Sequence, residues 1–204
     1  MMSMRQNRTT DRINFMYVDA CLLLAVMVIA ISCSNNPVPK PRGYFRIDFP
    51  VKSYLPYVSD CNYRFEYPAY GIIAPYTGSN PEPCWLNIEF PRYKGTIYLT
   101  YKELNHDLGT YAEDIRSLAY KHIVKADDIL EKPFFYPDRK VYGIIYDIQG
   151  NTASSLNFFA TDSVRHFLSG SLYFNVQPNK DSLAPAIDFF GEDVEHLIHT
   201  LTWD

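Results

Sequence analysis

Apolar and polar residues alternate with a period of two in several separate segments of this chain. The alternation is clearest in residues 62–67, 85–90, 96–101 and 141–149, where aromatic and aliphatic side chains fall on one side of an extended chain. This pattern is typical of half-buried strands in an antiparallel sheet. The first three segments predict one antiparallel run. Residues 141–149, 155–160 and 166–176, separated by turn residues, predict a three-stranded meander.

Two other segments repeat their apolar residues at helical spacing. The first follows a T-x-x-E capping box formed by Thr110 and Glu113, and its apolar face includes Tyr111, Ile115 and Ala119. The second lies at the C-terminus and has its apolar residues at Phe190, Val194, Leu197, Ile198 and Leu201. We expect both helices to cover the same face of the sheet. Residues 125–131 predict a short strand, followed by a loop through Pro133 and Pro137.

These elements predict an α+β fold. It is a single domain with a mainly antiparallel sheet, an amphipathic helix after the third strand, and a C-terminal helix packed on the sheet. A chain of 204 residues has the length of one domain, and its 16% aromatic residues argue against disorder. With 19 basic against 23 acidic residues and a net charge of -4, the chain lacks the basic footprint of a nucleic-acid-binding protein.

The first 32 residues are predicted to be a signal peptide that is removed from the protein. Arginines precede an apolar run at residues 20–31, whose helix would be only about 18 Å long, against about 30 Å for a bilayer core. The run ends just before Cys33, and residues 34–42 are polar and proline-rich, which resembles a bacterial lipoprotein cleavage site. We predict an acylated Cys33 that binds the membrane, a tether arm at residues 33–50, and a globular domain at residues 51–204. An ordinary secretory signal is the alternative.

Two cysteines, Cys61 and Cys84, are left once the signal peptide and the lipidated residue are set aside. Outside the inner membrane the default prediction for such a pair is a disulfide, and two free buried thiols are the alternative. Each cysteine precedes a predicted strand, and the two strand starts of a tight hairpin lie at opposite ends. The long segment at residues 69–83 would have to double back to bring them together.

Motifs of catalysis are scarce. No P-loop, dinucleotide-binding fingerprint or serine nucleophile elbow is present, and no metal or cofactor is predicted. Glu192, His196 and His199 share one face of the C-terminal helix, but a solvated helix face explains them without a metal. Glu66 and Glu89 lie on the outward faces of neighbouring predicted strands. They are the candidate carboxylate pair if the protein acts on glycans.

A resemblance to a known family extends over nearly the whole predicted mature chain. It is carried by Cys33 and by PKPRGYFRIDFP at residues 39–50, CNYRFEYPAYG at 61–71, CWLNIEFP at 84–91, GTIYLTYK at 95–102, YAEDIRSLAYKHIVKADDI at 111–129, VYGIIYDIQGNTASSLNFFATDS at 141–163 and HFLSGSLYFN at 166–175. These segments resemble the gliding motility lipoprotein GldD family. The family offers no catalytic residues to transfer to this chain.

The resemblance implies an envelope lipoprotein of Bacteroidota without enzymatic activity, lipid-anchored in the outer membrane and facing the periplasm. Its partners would be the membrane and other gliding motility or type IX secretion lipoproteins. Within the arm, Arg42, Tyr44, Phe45 and Arg46 have the mixed basic and aromatic composition of protein interfaces, so we expect them to dock a partner. An arm packed along its own domain is the alternative for these residues. For the whole protein, the alternative is a periplasmic or surface lipoprotein that binds or processes glycans.

Overall fold

Seven strands form the main sheet of this computed structural model, which describes residues 22, 46–58, 60–78, 80–152 and 154–204. All neighbouring strands are antiparallel, in the order β3-β4-β5-β9-β8-β7-β6. Their bounds are β3 Ile72–Pro75, β4 Leu86–Phe90, β5 Gly95–Glu103, β6 Ala126–Tyr136, β7 Val141–Gly150, β8 Ser154–Thr161 and β9 His166–Phe174. The meander β7-β8-β9 and the α+β fold class are confirmed.

A second sheet of three strands was not predicted. It consists of β1 Tyr54–Tyr57, β2 Tyr63–Pro68 and β10 Thr202–Trp203, in the order β1-β2-β10. The prediction that the strand at residues 62–67 belongs to one run with β4 and β5 is therefore wrong. Alternation shows that one face of a strand is buried, but it does not identify the neighbouring strand. Here β3 occupies the place beside β4, and β2 pairs with β1 and β10 instead.

The two helices lie on opposite faces of the main sheet, which corrects the expectation of a shared face. α1 (Leu108–Tyr120) packs against Tyr146 and Phe159, whereas α2 (Lys180–Thr200) packs in a larger core that includes Phe158. Neighbouring residues of a strand point to opposite faces, and both Phe158 and Phe159 are buried. Every residue of β8 is buried, so each face of this part of the sheet needs a cover.

Two local predictions are also corrected. α1 begins at Leu108, so Thr110 lies inside its first turn and cannot form the predicted capping box. Asp107 immediately precedes the helix, and its carboxylate accepts a hydrogen bond from the backbone N–H of Asn105. Pro133 does not end a strand, because β6 continues through it to Tyr136. β6 is the last strand of the sheet, and an edge strand tolerates a proline that cannot donate a ladder hydrogen bond.

Candidate interaction surfaces

The end of the predicted arm lies against the globular domain. The ring of Phe49 stacks on Phe189 of α2, with centroids 4.3 Å apart, and lies 5.6 Å from the ring of Tyr93. The hydroxyl of Tyr93 also donates a hydrogen bond of 3.0 Å to the backbone carbonyl of Asp48. From Asp48 onward, therefore, the arm is packed along its own domain.

Arg46 is the one arm residue of the predicted partner site that falls within the described residues. Its side chain is 91% exposed, and its guanidinium lies 3.2 Å from the carboxylate of Asp48. Arg42, Tyr44 and Phe45 lie outside the described residues, as does Cys33. The docking of a partner by these residues stays a prediction.

A buried carboxylate holds the segment that follows Phe49. Asp193 of α2 is 0% exposed, and one of its oxygens accepts hydrogen bonds from the ammonium of Lys52 at 2.7 Å and from the hydroxyl of Tyr54 at 3.0 Å. The other oxygen accepts a hydrogen bond of 2.6 Å from the hydroxyl of Tyr70. Lys52 also donates to the backbone carbonyl of Phe189 and lies over that ring. The carboxylate thus connects three segments: residues 52–54, which follow the arm, the segment after β2, and α2.

The electrostatics of this cluster favour neutral tyrosines. Burial, followed by the charge and hydrogen bond of Asp193, raises the pKa of Tyr54 and of Tyr70 well above the ordinary value for tyrosine. Both hydroxyls consequently keep their protons and act as hydrogen-bond donors. Together with the ammonium of Lys52 on the same carboxylate, the arrangement is that of a structural anchor for residues 52–54, directly after the arm.

The sequence contained a signal for Asp193 that was overlooked. Position 193 is three residues after Phe190 and four before Leu197, so it falls on the apolar face of the predicted helix. An acidic residue in an apolar stripe is rarely buried without a charged or hydrogen-bonding partner. The pattern could have marked Asp193, although it could not have identified Lys52 as the partner.

The three residues once considered for a metal have separate contacts. Nε2 of His196 lies 2.7 Å from the carboxylate of Glu66, and the ring of Tyr54 stacks on its imidazole at 3.6 Å. His199 contacts the ring of Tyr136, and Glu192 lies 3.4 Å from Lys52. Over the ranges that the structure describes, no three His, Cys, Asp or Glu side chains form a group that could hold a metal ion.

The carboxylates considered for glycan chemistry are also apart. Glu66 lies on β2 in the small sheet and Glu89 on β4 in the main sheet, so they are not on neighbouring strands. A cleft beside α2 is acidic, but two of its carboxylates are neutralised by lysines, in the pairs Asp127–Lys180 and Asp147–Lys132. Its other carboxylates are those of Asp181 and Asp188.

Cys61 and Cys84 are brought together between the two sheets. Their sulfur atoms lie 2.10 Å apart, the distance of a disulfide bond, and their Cα atoms are separated by 5.7 Å. Cys61 precedes β2 of the small sheet and Cys84 precedes β4 of the main sheet. Since these strands do not form a hairpin, the geometric objection to their pairing does not apply. The hydroxyl of Tyr63 donates a further hydrogen bond of 2.7 Å to the carbonyl of Cys84.

One part of the main sheet presents a polar row on the face opposite α2. Asn87, Tyr98, Ser171 and Asn157 are successive partners across β4, β5, β9 and β8, so all four side chains lie on this face. Tyr98 and Ser171 are partly exposed, whereas Asn87 and Asn157 are buried. The Oδ1 of Asn87 and the Nδ2 of Asn157 have no hydrogen-bond partner within the described part of the chain. Neighbouring rows add further polar side chains: Glu89, Thr96 and Tyr173, and Thr100 with Ser169.

No described helix has an apolar stretch long enough to cross a bilayer.

Comparison with known proteins identifies the family. The model of the family described as gliding motility lipoprotein GldD matches residues 34–203, and no curated protein matches the chain. Among solved structures, the solution structure of cyanobacterial PsbP (CyanoP) from Synechocystis sp. PCC 6803 is similar at 12% sequence identity with a TM-score of 0.47, over 81% of this chain and 99% of that chain. Because the family match spans well over half of the sequence, this chain belongs to the gliding motility lipoprotein GldD family.

Proposed function

We propose that this chain is a non-enzymatic lipoprotein of the cell envelope that supports the assembly or stability of the gliding motility machinery and of associated type IX secretion. It does so through protein–protein contacts with other lipoproteins of these systems. The observation that carries the proposal is the family match, which begins at residue 34, directly after Cys33, and runs to residue 203.

Membrane attachment follows from the N-terminal signals. Removal of residues 1–32 leaves Cys33 as an acylated N-terminus, and its acyl chains hold the protein on the outer membrane with the domain in the periplasm. This compartment is oxidising, which suits a disulfide between Cys61 and Cys84 and fits the short distance between their sulfur atoms. The disulfide would then fix the small sheet to the main sheet.

The polar row of Asn87, Tyr98, Ser171 and Asn157 is the surface that we assign to partner contact. Tyrosine supplies contact area, and serine and asparagine supply adaptable hydrogen bonding, a combination that the binding loops of antibodies also use. Tyr98 and Ser171 are the partly exposed members of the row, so their hydroxyls are the groups that a binding protein can reach.

The test is cross-linking in native envelopes with a C-terminally tagged protein, followed by mass spectrometry of what copurifies. Wild type is compared with Cys33→Ala, which lacks the acyl chains, and with Ser171→Arg, which places a bulky charge in the middle of the polar row. Ser117→Arg, an identical change on the exposed side of α1, is the matched control. We expect wild type and Ser117→Arg to recover gliding or secretion lipoproteins, and Ser171→Arg to lose them.

Other outcomes decide against parts of the proposal. If Ser171→Arg recovers the same proteins as Ser117→Arg, the polar row is not the contact surface. If wild type stays attached to the membrane but recovers only glycan or nothing, the protein-binding function is wrong, and a glycan-binding or glycan-active lipoprotein becomes the leading candidate.

A further inference from the structure

The turn between β4 and β5 carries basic side chains at the point where the arm joins the domain. It consists of the single helical turn Pro91–Tyr93 followed by Lys94, which adopts a left-handed conformation with φ of 51°. Arg92 and Lys94 are both exposed, and the guanidinium of Arg92 lies 5.6 Å from the ring centroid of Tyr93. Tyr93 in turn holds the carbonyl of Asp48.

The basic side chains of this turn are exposed and form no ion pair with the described residues. No carboxylate of the described residues forms an ion pair with Arg92 or Lys94, whereas the nearby Arg46 is paired with Asp48. The turn is therefore locally positive on a protein whose overall charge is -4.

The length of chain before Asp48, the first arm residue that contacts the domain, brings this turn within reach of the membrane. Cys33 to Ile47 comprises 15 residues, and at about 3.5 Å per residue they span at most about 50 Å. This segment contains Lys40 and Arg42, which add positive charge between the acyl chains and the domain. A basic surface beside an acyl anchor is the second signal that commonly strengthens attachment to a membrane.

We infer that the 91–94 turn rests on the anionic lipid headgroups of the membrane that holds the acyl chains. This inference rests on the proposed acylation of Cys33. In this arrangement β4 and β5 rise from the bilayer. The polar row at Asn87 and Tyr98 then lies about 15 Å above the turn, four to five residues along each strand, where an envelope protein can reach it.

The chain contains its own matched control for this turn. Pro137–Arg139 and Lys140, between β6 and β7, repeat the same helical turn and left-handed lysine, with φ of 54°, and Arg139 likewise lies over a tyrosine ring. The strand register places this second turn at the other end of the sheet, beside Lys102 rather than Gly95. The two ends are about 24 Å apart along β5, about three Debye lengths at physiological salt.

The experiment compares the two turns on vesicles. The full acylated protein is reconstituted on vesicles of phosphatidylcholine alone or mixed with phosphatidylglycerol. Lysines are modified with an amine-reactive ester, and the modification of Lys94 relative to Lys140 is measured by mass spectrometry. We expect this ratio to fall at least fivefold on the anionic vesicles and to recover at high salt, since each basic residue near an anionic surface increases affinity about fivefold.

Variants and flotation separate the possible results. Arg92→Glu should restore the Lys94 modification on anionic vesicles, and Arg139→Glu should leave it low. An equal ratio on both vesicles, with the protein floating among them, overturns the inference while the acyl anchor stands. The same labelling is repeated in native envelopes. If the Lys94 to Lys140 ratio falls there but on neither kind of vesicle, another protein covers the turn, and the inference is also overturned. A protein that does not float with either vesicle lacks the anchor, and both the acylation and this inference fail.

Discussion

Removal of the Asp193 carboxylate should cost a large share of the stability of this protein. Asp193→Ala deletes a fully buried acceptor of three hydrogen bonds and removes the closest carboxylate of the Lys52 ammonium, which keeps its hydrogen bond to the carbonyl of Phe189. Breaking a buried ion pair by removing one partner costs about 3–5 kcal/mol. Since the side chain of Lys52 is 25% exposed, it can turn towards water, so we expect the lower end of this range, about 3 kcal/mol. Domains of this kind are stable by about 5–15 kcal/mol.

The assay is urea unfolding of the mature chain carrying Cys33→Ala, which has no acyl group, followed by circular dichroism. Asp188→Ala is the matched control, because Asp188 is an exposed carboxylate on the same helix, and we expect its effect to stay within about 0.5 kcal/mol. Amide hydrogen exchange should also become faster at residues 46–57 in Asp193→Ala, since Lys52 and Tyr54 lose their acceptor. A loss of less than about 1 kcal/mol, or one equal to that of the control, would refute the anchoring role of Asp193.

Three further predictions concern the arm, the disulfide and pH. Phe49→Ala should lower the free energy of unfolding by about 2 kcal/mol through the lost stacking in a half-buried site, whereas Arg46→Ala, measured in the same urea titrations, should change it by less than about 0.5 kcal/mol. Replacing Cys61 and Cys84 by serine should cost about 3 kcal/mol, and reduction of the wild type should reproduce this loss; a urea midpoint that does not change on reduction would contradict the disulfide. Burial lowers the pKa of His166 below its ordinary value of 6.5, so the unfolded chain binds a proton more readily than the folded chain. The free energy of unfolding should therefore rise with pH in the window just below 6.5, by at most about 1.4 kcal/mol per pH unit. His166→Gln should make that rise smaller in urea midpoints measured across the same pH range.

Local periodicity was sufficient to predict most of the main sheet. The alternation at residues 85–90, 96–101 and 141–149 predicts the ends of β4, β5 and β7 to within two residues. β1 and β3 have four residues each and β10 has two, which is too short for a period to be detected. Their positions depend on long-range pairing, so the second sheet could not be derived from the pattern.

The face of the sheet on which each helix packs could not be predicted from the sequence, for a related reason. In β8 the run from Leu156 to Ala160 is apolar except for Asn157, so alternation does not distinguish its two faces. A strand buried on both faces indicates two covering layers but does not say which helix provides which layer. For the same reason the sequence did not show that Asn157 belongs to the polar row, since most of the other side chains of its strand are apolar and buried.

If Cys33 is acylated, the packing of the arm on the domain also limits how far the domain can lie from the membrane. If the chain were free from Cys33 to the start of β1 at Tyr54, its 21 residues could extend about 70 Å. Because Asp48 and Phe49 are packed on the domain, only the 15 residues from Cys33 to Ile47 are available, and the reach falls to about 50 Å. Under the proposed acylation, Asp193→Ala alone leaves this reach unchanged while Phe49 stays stacked on Phe189. Phe49→Ala combined with Asp193→Ala removes both contacts, so it should lengthen the tether as well as weaken the fold.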